Sequence, residues 1–369
     1  MTSHDSLKLT SALSAGVRVR RIAATTWSVN EPQQKDLRLT RLVRIVNTGQ
    51  SRPITLRMTC ANPSWMSHLY LVQGKRVTIL PGKSGSGFVT FTLHAPQGVS
   101  QVGPEIWYSN EDAERFIKRL IRRSDQCTED VIGRTLEGRP IRRIVIGNPH
   151  AKQVVVVAGR EHADEPSGSF AVEAVAEHLL KQIDTNPLYQ RFRFDLIPIV
   201  NPDGVAHGEA YPQPGASSTL HPNPSDPHYC GMVSDDPTVK AWREYLFAQR
   251  PAAIANYHAY WALSFPQVIF YHKADGMAML EHLIHDDVST DCRWYVMRQA
   301  AEKRTMLRPC VERFGTVVAM FELPWRGRSI ADVRALGLQM FLSAMEALKR
   351  RHPVKQSRHC DPTDKKGNS

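Results

Sequence analysis

Three separated stretches of the 369-residue chain carry residue types and spacings that could do chemistry. The first is Gly159-Arg-Glu-His-Ala-Asp-Glu-Pro-Ser-Gly168, where His162 and Glu165 stand three residues apart between an apolar run and a proline. A histidine and a glutamate spaced this way across a turn can converge on one ion. Two imidazoles and a carboxylate are an established ligand set for a catalytic zinc that keeps an open position. The second imidazole is offered by His258, in Ile254-Ala-Asn-Tyr-His-Ala-Tyr260. The third stretch, Val317-Val-Ala-Met-Phe-Glu-Leu-Pro324, puts Glu322 at the end of another apolar run. A carboxylate there could deprotonate a water whose pKa zinc lowers from about 15.7 to about 7. Taken singly, each has an ordinary alternative. H-x-x-E arises by chance in a chain with 15 histidines, His258 could be a hydrogen-bonded rim residue, and Glu322 could pair with Arg326.

The conjunction matters because each stretch follows an apolar run that reads as a buried strand, and open α/β sheets build their sites at strand carboxyl ends. Gln153–Gly159, Phe192–Val200, Ala252–Asn256 and Thr316–Phe321 are such runs. Helices are expected from Ser109 through Leu120, over 166–182 with Pro166 at its first position, and over 236–249, 277–285 and 330–350. Val131–Gly147 reads as two strands joined by a glycine-containing turn. Strands alternating with helices predict an α/β fold with a mixed, largely parallel central sheet flanked by helices.

Ahead of it, residues 18–107 read differently. Leu39–Val46, Pro53–Met58 and Ser86–His94 alternate or are β-branched, with turn signals at Asn47-Thr-Gly-Gln and Leu80-Pro-Gly-Lys. They predict a small β-sandwich of immunoglobulin-like character. The expected organisation is a flexible N-terminus over 1–17, the sandwich over 18–107, a catalytic domain over 108–350 and a disordered basic tail over 351–369.

The net charge of +11 is concentrated at the ends: residues 1–60 sum to +7, residues 349–369 to +5 and the 288 between them to −1. Basic ends around a neutral body argue against a nucleic-acid groove. No run approaches the roughly 18 apolar residues of a membrane span, and Met1–Val19 lacks the apolar stretch of a secretory signal. The six cysteines, at 60, 127, 230, 292, 310 and 360, have no C-x-x-C spacing and read as free thiols in a reducing, cytoplasmic setting. Oligomeric state is not set by any of this.

In order, several pieces resemble the zinc carboxypeptidase (M14) family: Ile132-Gly-Arg-Thr-Leu-Glu-Gly-Arg-Pro-Ile141, His162-Ala-Asp-Glu165, Pro198-Ile-Val-Asn-Pro-Asp-Gly204, His258 and Phe321-Glu-Leu-Pro324. The resemblance covers roughly residues 108–350, and the N-terminal strands are similar to the accessory domain of the cytosolic carboxypeptidase branch. It implies one Zn²⁺ per chain held by His162, Glu165 and His258, with Glu322 as general base, acting on a peptide amide bond. Asp164 and Asn201 are expected to orient the ligands. The chain departs from the family after Gly204, because no arginine occurs between Arg193 and Arg243. The family's carbonyl-polarising arginine and carboxylate clamp therefore have no counterpart, and a neutral side chain does not replace a bidentate guanidinium. His207, Tyr211 and His221 lie in that stretch and could donate. Arg160 is a further candidate anion contact, whereas Arg134 and Arg139 read as surface charges of the hairpin. The missing clamp keeps two alternatives in view: an N-acyl amino acid or peptide deacylase on the same scaffold, and a non-catalytic binding module.

Overall fold

A computed structural model describes residues 6–13, 17–30, 40–59, 66–211, 231–260, 266–285, 293–296, 305–325 and 327–351. His221, Arg326, four of the cysteines (60, 230, 292 and 360) and the tail beyond Arg351 lie outside the described residues.

The N-terminal strands form two five-stranded sheets. One is ordered β1 (Leu7–Ser11), β4 (Val43–Asn47), β10 (Gly98–Gly103), β6 (His68–Gln73), β7 (Arg76–Pro81). The other is ordered β2 (Arg18–Ala23), β3 (Thr26–Asn30), β5 (Arg52–Thr59), β9 (Phe88–Ala95), β8 (Lys83–Gly85). Alternate residues of both, among them Ile45, Leu69, Leu56 and Phe91, meet in one apolar cluster, as period-2 side-chain alternation requires. One expectation changes here. Leu7–Ser11, read as part of a flexible flank, is a strand antiparallel to β4, because Leu7 and Leu9 have a core to enter. The turn at Leu80-Pro-Gly-Lys carries the chain from β7 in one sheet to β8 in the other. A Cβ on Gly82 would lie 2.6 Å from side-chain atoms of Val89 and Phe91, so the crossing is tight.

The larger unit is built on an eight-stranded sheet in the order β11 (Cys127–Arg134), β12 (Pro140–Gly147), β14 (Phe192–Ile197), β13 (Gln153–Gly159), β15 (Ala253–Tyr260), β18 (Val317–Pro324), β16 (Gln267–Phe270), β17 (Arg293–Val296). The four central strands β14, β13, β15 and β18 run parallel, and antiparallel pairings flank them on both sides. The sheet is thus mixed, as expected. Helices cover both faces. Helices α1 (Asn110–Ile121), α2 (Ser167–Gln182) and α7 (Ile330–Arg351) pack on the side of Val155, Val157 and Phe321. Helices α4 (Pro237–Gln249) and α6 (Leu307–Phe314) pack on the side of Val154, Val156 and Met320. Between these come α3 (Pro202–His207) and α5 (Lys273–His285).

Local chemistry explains the helix ends. Ser109 and Asp112 form a reciprocal capping box at α1, and Asp236 caps α4 through the amides of Thr238 and Val239. Among the described residues, no helix is long and apolar enough to cross a membrane.

Candidate metal centre

The ligand-bearing loop leaves β13 at Gly159 and must turn sharply into α2. Arg160 takes the left-handed conformation, with φ 64°, which is uncommon for a residue with a side chain. Its guanidinium holds the turn closed: Nε and Nη2 donate to the Ala163 carbonyl at 2.9 and 2.5 Å, and Nη1 donates to the Tyr108 carbonyl at 3.0 Å. Arg160 is fully buried over the Trp107 ring, and burial lowers its pKa to about 10. This corrects the expectation of an anion contact: the guanidinium points into the fold and fixes the loop's shape.

The loop delivers His162 and Glu165 to the carboxyl end of the sheet, and β15 delivers His258. His258 meets the other two from 93 and 96 positions further along the chain. His162 Nδ1 is 2.9 Å from Glu165 Oε1; His258 Nδ1 is 3.0 Å from Glu165 Oε2 and 3.2 Å from His162 Nδ1. The Ala259 amide donates to Glu165 Oε2 at 3.1 Å and so fixes the carboxylate's angle. All three side chains are buried. Burial disfavours a charged His258, yet the Glu165 and Glu161 carboxylates on its two sides outweigh that and hold its pKa well above the ordinary 6.5.

This donor set fits a zinc ion. Tetrahedral ligands at about 2.0–2.1 Å from a metal lie about 3.3 Å from each other, close to the spacings found between the two Nδ1 atoms and the carboxylate. Two imidazole nitrogens 3.2 Å apart, both beside the buried Glu165 carboxylate, are also spaced to share one cation. The three residues are the cluster of potential metal ligands found among the described residues.

Glu322 lies directly across from His258 in the parallel β15–β18 register. Residues 254, 256 and 258 on one strand and 318, 320 and 322 on the other share a face by alternation. Ile254, Val318 and Met320 bury that face under α4 and α6, while His258 and Glu322 continue it past the end of the apolar cluster.

The remaining candidates divide. Tyr211 is buried with its ring edge-on to His162, centroids 5.6 Å apart. His207 stands on α3 with Nε2 2.6 Å from Glu137 Oε1, in the hairpin between β11 and β12. Asn201 caps α3 through the Gly204 amide and donates to the Ala210 carbonyl. Its backbone amide bonds Arg160, and the Ala163 amide also reaches Ala210, so Asn201 supports the loop's backbone. Asp164 borders a small cavity with Arg41, Glu105 and Trp107. Arg134 is exposed and donates to the Gly138 carbonyl, as a hairpin charge would. Arg139 instead bonds the buried Asp203 carboxylate at 2.7 Å, tying the hairpin to α3.

Sequence reasoning missed Glu161, which is 1 % exposed. It accepts from the Trp242 indole and approaches the far side of the His258 ring. A carboxylate next to a candidate ligand in a strand-end loop was the available signal; Trp242, 81 residues away, could be found only in three dimensions.

Fold and candidate site together resemble those of zinc carboxypeptidases. Residues 113–216 match the family described as zinc carboxypeptidase. Cytosolic carboxypeptidase 2 of Danio rerio is 31 % identical over 112 residues, 27 % of this chain and 16 % of that protein. A protein of Paracoccidioides brasiliensis named inactive metallocarboxypeptidase ECM14 is 40 % identical over 85 residues, 21 % of this chain and 14 % of that protein. The matches therefore span about one sixth of the length of these curated relatives. In fold, the metallo-carboxypeptidase of Burkholderia cenocepacia superposes with a TM-score of 0.78 at 17 % identity, covering 94 % of this chain and all of that one. A metallo-carboxypeptidase of Pseudomonas aeruginosa gives 0.76 at 13 % identity, covering 93 % of this chain and 99 % of that one.

Proposed function

We propose that this chain is a zinc-dependent hydrolase of amide bonds, a metallocarboxypeptidase acting on peptides. The observation that carries the reading is the convergence of His162 Nδ1, His258 Nδ1 and the Glu165 carboxylate at a strand end, with Glu322 in register beside His258. In this reading His162, Glu165 and His258 hold one Zn²⁺. When bound, the ion supplies Lewis-acid activation of a water and of the scissile carbonyl. Glu322 takes a proton from the attacking water and returns it to the departing amine, the division of labour expected of a general base and acid. In this reading Tyr211, whose ring lies edge-on to His162, donates its hydroxyl to the developing oxyanion. Such donors contribute about 3–4 kcal/mol. His207, paired with Glu137, is the more distant candidate for substrate contact.

One observation favours a second reading: no arginine lies between Arg193 and Arg243. Without a guanidinium to grip a terminal carboxylate, an N-acyl amino acid or modified peptide fits the site as well as a free C-terminus. Cys127 and Cys310, the described cysteines, are buried free thiols, and on that ground we read the protein as cytoplasmic. Burial pushes their pKa values up to about 11 and about 12, which keeps them unreactive. We assign the accessory unit to residues 18–107 together with the strand Leu7–Ser11, and the catalytic unit to residues 108–350.

C-terminal peptides and N-acyl amino acids, each with and without chelator, test the reading. Chelator-sensitive release of a C-terminal residue is expected. Release only from acylated substrates supports the deacylase, and silence on all substrates with metal retained supports a binding module. Glu322→Gln should keep the zinc and lower turnover by at least 100-fold; undiminished turnover removes Glu322 from the mechanism.

A further inference from the structure

Glu161 is a buried carboxylate outside the proposed ligand set, held between two elements. Its Oε1 accepts the Trp242 indole N–H at 2.5 Å, and Trp242 is fully buried in α4. Its Oε2 lies 3.5 Å from His258 Nε2, the ring nitrogen opposite the one facing Glu165 and His162. Two carboxylates thus address the two nitrogens of one imidazole from opposite sides. Glu161 cannot share an ion with His258 Nδ1, because the ring stands between them. The Asn256 amide also reaches Nε2, with Nδ2 at 3.1 Å, and its Oδ1 has no hydrogen-bond partner. With the amide turned over, that oxygen would accept from the same Nε2.

We infer that Glu161 is a positioning residue for the metal centre: clamped by Trp242, it keeps the His258 ring proton on Nε2 and so presents the Nδ1 lone pair to the ion. The inference rests on the proposed ligand role of His162, Glu165 and His258. Its physical basis is general. A neutral imidazole carries one proton, and the hydrogen bond made by the nitrogen away from the metal decides which nitrogen is free to ligate. An anionic acceptor at Nε2 also makes Nδ1 a more basic ligand. The indole is essential to the arrangement, since it fixes Oε1 and leaves Oε2 for the ring. Glutamine at 161 has one acceptor oxygen for two donors, so either the indole or the imidazole loses its partner.

Zinc dissociation constants by competition with a chromophoric chelator test this on the full chain, using Glu161→Gln, Glu161→Ala and Trp242→Phe. We expect Glu161→Gln and Glu161→Ala to bind zinc 10- to 100-fold more weakly than the parent, and Trp242→Phe to be several-fold weaker with Glu161 intact. Cobalt-substituted Glu161→Gln should show a shifted visible spectrum, which a purely structural substitution would leave unchanged. ¹⁵N-histidine spectra of the zinc-loaded parent, which need no variant to fold, should show His258 protonated at Nε2. Parent protein that binds no zinc would overturn the ligand reading itself. Parent that binds zinc while Glu161→Gln matches it in affinity and cobalt spectrum, or that carries the ion on His258 Nε2, would overturn the role of Glu161 alone.

Discussion

His258 is an imidazole between two carboxylates, and its behaviour should change sign with metal. In the metal-free protein its folded pKa lies well above 6.5. It therefore contributes stability that is fully present below that value and lost as pH rises through the raised one. Zinc requires Nδ1 without its proton, so affinity climbs over the same range. Chelator-treated protein should lose thermal stability as pH rises above the ordinary histidine range, while the rise in melting temperature caused by zinc grows. His178, whose pKa burial lowers, titrates below this window. A flat metal-free profile, or a slope that survives in His258→Ala, would contradict the assignment. Arg160 makes a second prediction at this scale. Arg160→Ala leaves the buried Ala163 and Tyr108 carbonyls without their donors and should cost about 2–5 kcal/mol in denaturant melts. Loss of the exposed Arg134 should cost less than about 0.5 kcal/mol.

At the scale of elements, the site depends on how closely α2 begins against β13 and β15. A Cβ on Gly168 would fall 2.9 Å from the Tyr257 carbonyl oxygen, and one on Gly159 would fall 2.8 Å from the Gly168 carbonyl carbon. Gly168→Ala should therefore push α2, and Glu165 at its start, off the strand that carries His258. The expected cost is about 1–3 kcal/mol in stability, with zinc bound more weakly; equal stability and affinity would show that the helix start can shift freely.

Elements of this kind were readable where one pattern decided them. The apolar run 153–159 is β13 to the residue, and the cap at Ser109 marks the start of α1. Helix α3 was missed because Pro202-Asp-Gly-Val-Ala-His207 has the composition of a turn, and only the Asn201 cap and packing make it helical. Strands β16 and β17, four residues each, and α6 were too short to declare a period. The candidate metal ligands were legible because each follows a recognisable apolar strand. The inward turn of Arg160 and the Trp242 clamp on Glu161 were not, since both are decided by partners distant in sequence.

For the molecule as a whole, the N-terminal sheets are joined to the carboxyl end of the site-bearing strand. Tyr70 of β6 donates to the Trp325 carbonyl at 2.8 Å, three residues beyond Glu322, and its ring lies 5.6 Å from the indole. Trp325 in turn stacks on Phe170 of α2. The N-terminal unit thus braces the element carrying Glu322. Burial and the neighbouring Glu105 hold the Tyr70 phenol protonated at every working pH. Tyr70→Phe should cost about 1–3 kcal/mol by leaving the carbonyl unpaired, and Tyr70→Ala about 3–5 kcal/mol. Chemical denaturation of the full chain checks both, and unchanged midpoints would mean the two units do not support each other.

The expectations about zinc assume that one loop and one strand bring His162, Glu165 and His258 to a single divalent ion. Anomalous diffraction at the zinc edge, from crystals of the full chain grown with zinc, addresses that assumption directly. The expected map has one dominant peak about 2.0–2.1 Å from the Nδ1 atoms of His162 and His258 and about 2.0–2.2 Å from a Glu165 oxygen. A zinc peak bound elsewhere, with these three residues bridged by no metal, would contradict the proposed centre.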